Sequence, residues 1–467
     1  MPDIMPELIV STPRTLLTRH EEQQKPSSSS SSMSLIRTNI FSTPAISSIW
    51  SDTQRTAYYL LFEASLASVQ ADIGIIPRQA ADAILDFCHV TNIDFEELRI
   101  QTEKIGYPVL GVVKQIVQKV NCLEPGLGEW AHWGATTQDV TDTATILQLR
   151  DTLNLVSDAL NTITSDLHRL CQTHKTTLMV ARSNLQQAVP MTFGFKMARL
   201  LATFERHKQR LAEIKPRLLV LEFGGAAGTL ATIKDGRGLE CQAALAQKLG
   251  LAVPEIAWHT ERDRIAEVGG FFALLTGTCS KFAMDVKLMM QTEVGEVSEP
   301  FYPHPRFFFN NAPEAATVRQ LSTALYDAMV EDHERSTGPW EIEWIVLPQI
   351  CTLTHAALLK TSELIAGLEV HSDVMKNNLE ITRGGVVSEA VMMGLAPKLG
   401  RQFAHDLVYE LCRRSVQEDV PLLTLLYADD KVRESGLSKE ELEGLCDPSN
   451  YTGLSVEMVD RVLAGTE

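Results

Sequence analysis

Cysteine patterning is missing from this sequence. Its eight cysteines (Cys88, Cys122, Cys171, Cys241, Cys279, Cys351, Cys412 and Cys446) form no CxxC pair and no cysteine–histidine cluster at zinc spacing. That argues against a zinc or disulfide scaffold and for reduced core thiols in a cytoplasmic protein. No stretch reaches the ~18 uninterrupted apolar residues of a membrane span. The N-terminus lacks an apolar signal core, and its Arg14 and Arg19 are offset by Asp3, Glu7, Glu21 and Glu22, unlike a mitochondrial presequence. A basic excess is also absent. The 42 Lys and Arg stand against 59 Asp and Glu, a net charge of −17, which argues against nucleic acid or an anionic membrane as the main partner. An acidic protein can still keep a locally basic pocket, so a small anionic substrate stays open. Strand alternation and Gly/Asn hairpin signals are sparse.

Helical periodicity is present. Leu61, Phe62, Leu66, Val69 and Ile73 recur at three- and four-residue steps up to Pro77, which closes that segment. Leu153, Val156, Leu160, Ile163, Leu167 and Leu170 form a longer stripe, and Leu275, Cys279, Phe282, Val286 and Met289 another. Such heptad-like stripes predict long helices packed at shallow angles. The expected fold is all-α: a central long-helix bundle over 144–370, with smaller helical domains over 33–143 and 371–467. Residues 1–32, ending in the serine run Ser27–Ser32, predict a disordered tail that has too little apolar surface to repay its ordering. Glycine- and proline-rich stretches at 123–128, 223–228, 300–313 and 384–385 predict loops that can present free backbone N–H groups.

The most specific string runs His132-Trp-Gly-Ala-Thr-Thr-Gln-Asp-Val-Thr-Asp-Thr143. Thr136, Thr137 and Gln138 offer hydroxyl, amide and helix-start backbone donors to a carboxylate, with Thr137 as the expected N-cap. A plain helix cap without a ligand explains the same residues.

This string resembles the first signature of the fumarase/aspartase superfamily, as found in 3-carboxy-cis,cis-muconate cycloisomerases and adenylosuccinate lyases. Phe223–Leu230, Trp258–Asp263, Gln291–Pro300, Asp332–Trp344, Ser388–Ala396 and Gly400–His405 are similar to strings of the cycloisomerase branch. The resemblance covers nearly everything from about residue 38 onward. It implies a homotetramer around a shared helix bundle, with active sites built from several subunits. The implied chemistry takes a proton beside a carboxylate, or adds a carboxylate internally to form a lactone, through a stabilised carbanion. No metal or organic cofactor is implied. Matched motifs make His259, Arg262 and Arg335 candidate substrate contacts. His132 is either a structural or substrate-contacting group or a base.

Two stretches depart from the family pattern. In Ala181-Arg-Ser-Asn-Leu-Gln-Gln-Ala188, Asn184 and Gln187 stand where the second signature carries histidines. Asn and Gln can hold a carboxylate but cannot exchange a proton near neutral pH. The family's mobile loop, whose serine is the usual base, is replaced by Phe301-Tyr-Pro-His-Pro-Arg-Phe-Phe-Phe-Asn-Asn-Ala-Pro313. Either the chemistry has changed, with His304, Arg306, Asn310 and Asn311 supplying new contacts, or the gene has been misread across this stretch.

The expected function is a lyase or cycloisomerase acting on a small unsaturated tricarboxylate. Either it decarboxylates trans-aconitate to itaconate, or it cycloisomerises 3-carboxymuconate. A non-catalytic tetrameric homologue and an adenylosuccinate-type C–N lyase are the alternatives.

Overall fold

The structure, a computed structural model, describes residues 38–300 and 311–465. The tail expected over 1–32, His304, Arg306 and Asn310 lie outside the described residues. From Asn39 the chain forms one compact unit.

Five helices make the bundle: Thr137–Thr173, Phe193–Leu218, Asp263–Met289, Asn311–Asp327 and Pro339–Ala366. Both long stripes lie where the periodicity puts them. Leu153, Val156, Leu160, Ile163 and Leu167 are fully buried in the first helix, and Leu275, Cys279, Phe282, Val286 and Met289 are buried in the third. The Asp52–Asp72 helix packs Phe62, Leu66 and Val69 onto the same core. It ends at Asp72, five residues before Pro77. Pro77 instead stands at the N-cap of the next helix, Arg78–Phe87, where its missing N–H costs nothing. The Pro339–Ala366 helix is long and apolar enough to cross a membrane. Its apolarity serves the bundle core, where Ile350, Cys351, Ala357, Leu358, Leu364 and Ile365 have no exposed surface.

Helix directions sort the loops. The Thr137 and Pro339 helices run the same way, since Trp340 donates to Asp142 at their start and Arg169 donates to the Ala366 carbonyl near their finish. The Phe193 helix runs back, with Gly194 N–H on the His174 carbonyl. One end of the bundle therefore carries residues 132–142, 222–228, 257–262 and 331–343. The other carries 174–193, 290–300 and 367–378.

A feature not foreseen is the antiparallel hairpin Leu178–Ser183 with Gln186–Thr192. Ser183 pairs with Gln186 across a two-residue turn in which Asn184 (φ 51°) and Leu185 (φ 64°) both have positive φ. This is the type I′ turn whose twist matches hairpin strands. Asn suits the first position, but Leu185 gives none of the glycine signal that would mark the second.

Towards the C-terminus, Val391, Leu395, Ala404, Val408, Leu411, Leu422 and Leu426 belong to a separate small core. The last helix, Ser455–Ala464, leaves it. Its Val459 and Leu463 join the main core, and Asp460 pairs with Lys175 at 2.6 Å.

Candidate active site

Asp139 organises the first end of the bundle. Its Oδ2 accepts the N–H groups of Thr136 (2.9 Å) and Gly225 (3.0 Å). Its Oδ1 accepts Gly224 N–H (3.0 Å) and meets His259 Nε2 (2.8 Å). One fully buried carboxylate thus ties the helix start to the glycine-rich segment. Gly224 has no room for a side chain, because a Cβ there would stand 2.7 Å from Gly228 Cα and 2.8 Å from Ala257 Cβ. The N-cap is Thr136, and Thr137 is the first helical residue. The expected cap is off by one because Asp139 completes its capping contact with the Thr136 N–H.

Several residues expected to touch substrate are committed inside the protein instead. Gln138 has no exposed surface, and its Nε2 donates to the His259 carbonyl (2.7 Å) and Asp142 (3.2 Å). Arg262 is 1% exposed. Its guanidinium makes paired bonds to Asp142 (2.8 and 2.9 Å) and to Glu343 (2.9 and 2.5 Å). Four of its five N–H donors are used, so no fork remains for a ligand. His259, also buried, sits between Asp139 and Glu222, the latter at 3.4 Å. Burial works against a charge on His259, but those acids outweigh it and raise the imidazole above its ordinary value. Burial pushes the Glu222 carboxyl up to about 8, against the pull of His259 and with Asp139 and Asp142 adding to the rise. Glu331, 3.9 Å from Arg262, is pushed up by burial to about 7.

Asp139, Glu222 and His259 form the one acid–imidazole group among the described residues close enough to share an ion. Their geometry fits a hydrogen-bond network better, since both Asp139 oxygens are already taken, by three backbone N–H groups and by His259 Nε2.

What faces outward here is smaller. Thr136, Thr137, His132 and Arg335 are half-buried. Arg335 Nη1 donates to Thr136 Oγ1 at 2.5 Å, which brings the 331–338 loop onto the helix start. His132 Nδ1 meets the buried Glu63 at 2.6 Å. Burial opposes a charge on this imidazole, but Glu63 and Asp139 raise it nonetheless. Glu63 was missed. Its signal is an acid on the buried face of the Asp52–Asp72 stripe, one turn from Leu66.

The opposite end holds the second-signature residues. Asn184 is exposed at the hairpin tip, and Gln187 donates its amide to the Asn378 carbonyl at 2.8 Å. Arg182 pairs bidentately with Glu296 (2.8 and 2.6 Å), which also accepts from Asn378 Nδ2 (3.0 Å). Ser298 Oγ and His371 Nε2 lie 2.9 Å apart. Neither Glu296 nor the Ser298–His371 pair was singled out in sequence. The pairing partner lies more than seventy residues away, and only the fold brings it near. The structure therefore brings Thr136, Thr137, His132 and Arg335 together at one end and Asn184 and Gln187 at the other.

Over residues 39–304 the chain matches the family described as Lyase, and over residues 384–462 the one described as adenylosuccinate lyase C-terminus. It is 53% identical over 440 residues to trans-aconitate decarboxylase 1 of Mycosarcoma maydis, covering 91% of this chain and 88% of that one. It is 39% identical over 436 residues to a 3-carboxy-cis,cis-muconate cycloisomerase of Pseudomonas aeruginosa, covering 91% and 95%. The solved 3-carboxy-cis,cis-muconate lactonizing enzyme from Pseudomonas putida matches with a TM-score of 0.88 at 38% identity, over 92% of this chain and 98% of that one. The family resemblance read from the sequence is thus borne out over about nine-tenths of its length, and the chain belongs to the fumarase/aspartase superfamily of lyases, in its cycloisomerase branch.

Proposed function

We propose that the protein decarboxylates a small unsaturated tricarboxylate of the trans-aconitate type, forming itaconate. The carrying observation is the hairpin tip. Asn184 is a neutral amide in the open, and the amide of Gln187 is held by Asn378. A second signature of this kind can orient a carboxylate but cannot abstract a proton from carbon. Decarboxylation needs no such abstraction. It needs a held carboxylate, stabilisation of the carbanion left by CO₂, and one proton. The likeness to the Mycosarcoma maydis decarboxylase supports the same reading. Internal lactone formation on 3-carboxymuconate is the second reading, supported by the cycloisomerase likenesses.

The working unit in this reading is a soluble, cytoplasmic homotetramer with shared sites. A 37-residue helix spans ~55 Å, so Thr137 and the hairpin of one chain stand too far apart to hold one small substrate. Antiparallel neighbours would bring one chain's first end to another's second. A face for that contact is available. Leu274 (56% exposed), on the Asp263–Met289 helix, lines a groove together with Lys196, Arg199 and Arg319, and Met284 (47% exposed) adds apolar surface on the same helix.

The test is direct. Purified protein should release CO₂ from trans-aconitate and form itaconate, with negligible cleavage of adenylosuccinate. Turnover of adenylosuccinate with none of trans-aconitate would overturn the assignment. A monodisperse monomer by light scattering at micromolar concentration would overturn the assembly.

A further inference from the structure

A decarboxylase still has to return a proton to carbon, and the signature residues at the hairpin cannot deliver it. The same end of the bundle supplies a different group. Strand Val297–Ser298 pairs with Glu369–Val370, Val297 opposite Val370 and Ser298 opposite Glu369. His371 follows directly and anchors its N–H on the Glu296 carbonyl at 3.0 Å. These backbone bonds fix both partners of the 2.9 Å contact between Ser298 Oγ and His371 Nε2.

The pair is joined to the second-signature hairpin through side-chain contacts centred on the buried Glu296. Arg182 grips Glu296 two residues before Ser298. Asn378, on the Ser372–Asn378 helix that His371 caps, donates to Glu296 and to the Val294 carbonyl and accepts from Gln187. Ser298 and His371 are themselves half-buried, so both a substrate and solvent can reach them. The charged groups next to them along the chain or across the strand pair are Glu296 with its partner Arg182, Glu299, Glu369 opposite Ser298, and Asp373 on the following helix.

We propose that His371 and Ser298 are the proton-delivery pair of this enzyme, with His371 Nε2 carrying the proton and Ser298 Oγ passing it to the substrate carbon. The inference rests on the carbanion chemistry proposed above. In decarboxylation, the bond from carbon to the leaving carboxylate breaks and its electron pair stays on the substrate as CO₂ departs. A C–H bond then forms with the Ser298 hydroxyl proton while Ser298 takes one from the His371 imidazolium. Neutral His371 recovers its proton from solvent. In internal lactone formation, a carboxylate oxygen adds to the double bond, and the carbon beside the other carboxylate takes the same proton. The pair therefore serves either substrate.

The test uses the intact oligomer. His371→Gln keeps a hydrogen-bonding amide but cannot carry a proton. We expect its kcat to fall ~10²–10⁴-fold, the usual worth of general acid–base help, with KM little changed. The limb of the wild-type pH–rate profile that reports this group should disappear. Ser298→Ala should lose kcat in the same way, while Ser298→Thr, which keeps a hydroxyl, should retain most of it. A second arm needs no turnover. Binding of propane-1,2,3-tricarboxylate, measured by calorimetry in two buffers of different ionisation enthalpy, counts protons taken up. Uptake in the wild type that is lost in His371→Gln supports the pair, even if the wild type turns over neither substrate and the proposed reactions fail. An unchanged pH profile and kcat in His371→Gln overturns the pair. So does equal proton uptake in both proteins, or a wild type that binds the tricarboxylate with none.

Discussion

Arg262 and Thr137 carry the same expected role in the sequence, and the structure parts them. Arg262 is the counter-ion of a buried acid cluster, bonded to Asp142 and Glu343 and close to Glu331. Arg262→Gln leaves those carboxylates uncompensated, so the fold should lose ~3–5 kcal/mol, read as a large drop in thermal midpoint. Thr137 is half-buried at the helix start and faces that end's outer surface. Thr137→Val should leave the midpoint unchanged and weaken tricarboxylate binding by roughly 1.5–3 kcal/mol, because a charged partner loses a donor. Calorimetry on the Val variant decides this, and equal affinity would falsify the cradle. Two separate motifs located the residues, but their different roles were not legible in either. The difference lies in Asp142 and Glu343, acids from two other helices that only tertiary packing sets around Arg262.

At the scale of elements, what could be read depended on periodicity. The Thr137–Thr173 and Asp263–Met289 helices were legible because a buried stripe leaves a repeating apolar pattern in the chain. The 178–192 hairpin was not. Its strands are short, Val180 is buried while Arg182 and Ser183 next to it are not, and its turn lacks glycine. The glycine-rich 223–228 segment was legible as a loop, but not as the partner of Asp139. Its backbone approach predicts a strong effect from a small change. Gly224→Ala would push a methyl group against Gly228 and Ala257, which have little freedom to yield. A destabilisation of ~1–3 kcal/mol is expected, measured by urea titration. Gly236, where a Cβ would meet nothing within 4 Å, serves as a control, although its φ of 70° means an alanine there still carries some backbone strain.

For the whole molecule, the buried acids give stability a direction with pH. Glu222 holds its proton up to about 8 in the fold, whereas an unfolded chain releases it near the ordinary value of 4.5. A raised value contributes stability that is complete below the unfolded value and is lost as pH rises through the folded one. His132 and His259, also raised, act in the same sense. The thermal midpoint should therefore fall between pH 5 and pH 9, and Glu222→Gln should flatten the fall. A midpoint that climbs over this range contradicts the assignment. The placement of Arg335 and His371 at opposite ends of one bundle has a further consequence, which belongs to genetics. If each site joins one chain's first end to another chain's second, a chain damaged at Arg335 and a chain damaged at His371 carry complementary defects. Co-expressed, they should assemble mixed tetramers in which roughly a quarter of the sites are intact by chance. Two alleles that are each null alone would then restore growth or activity together.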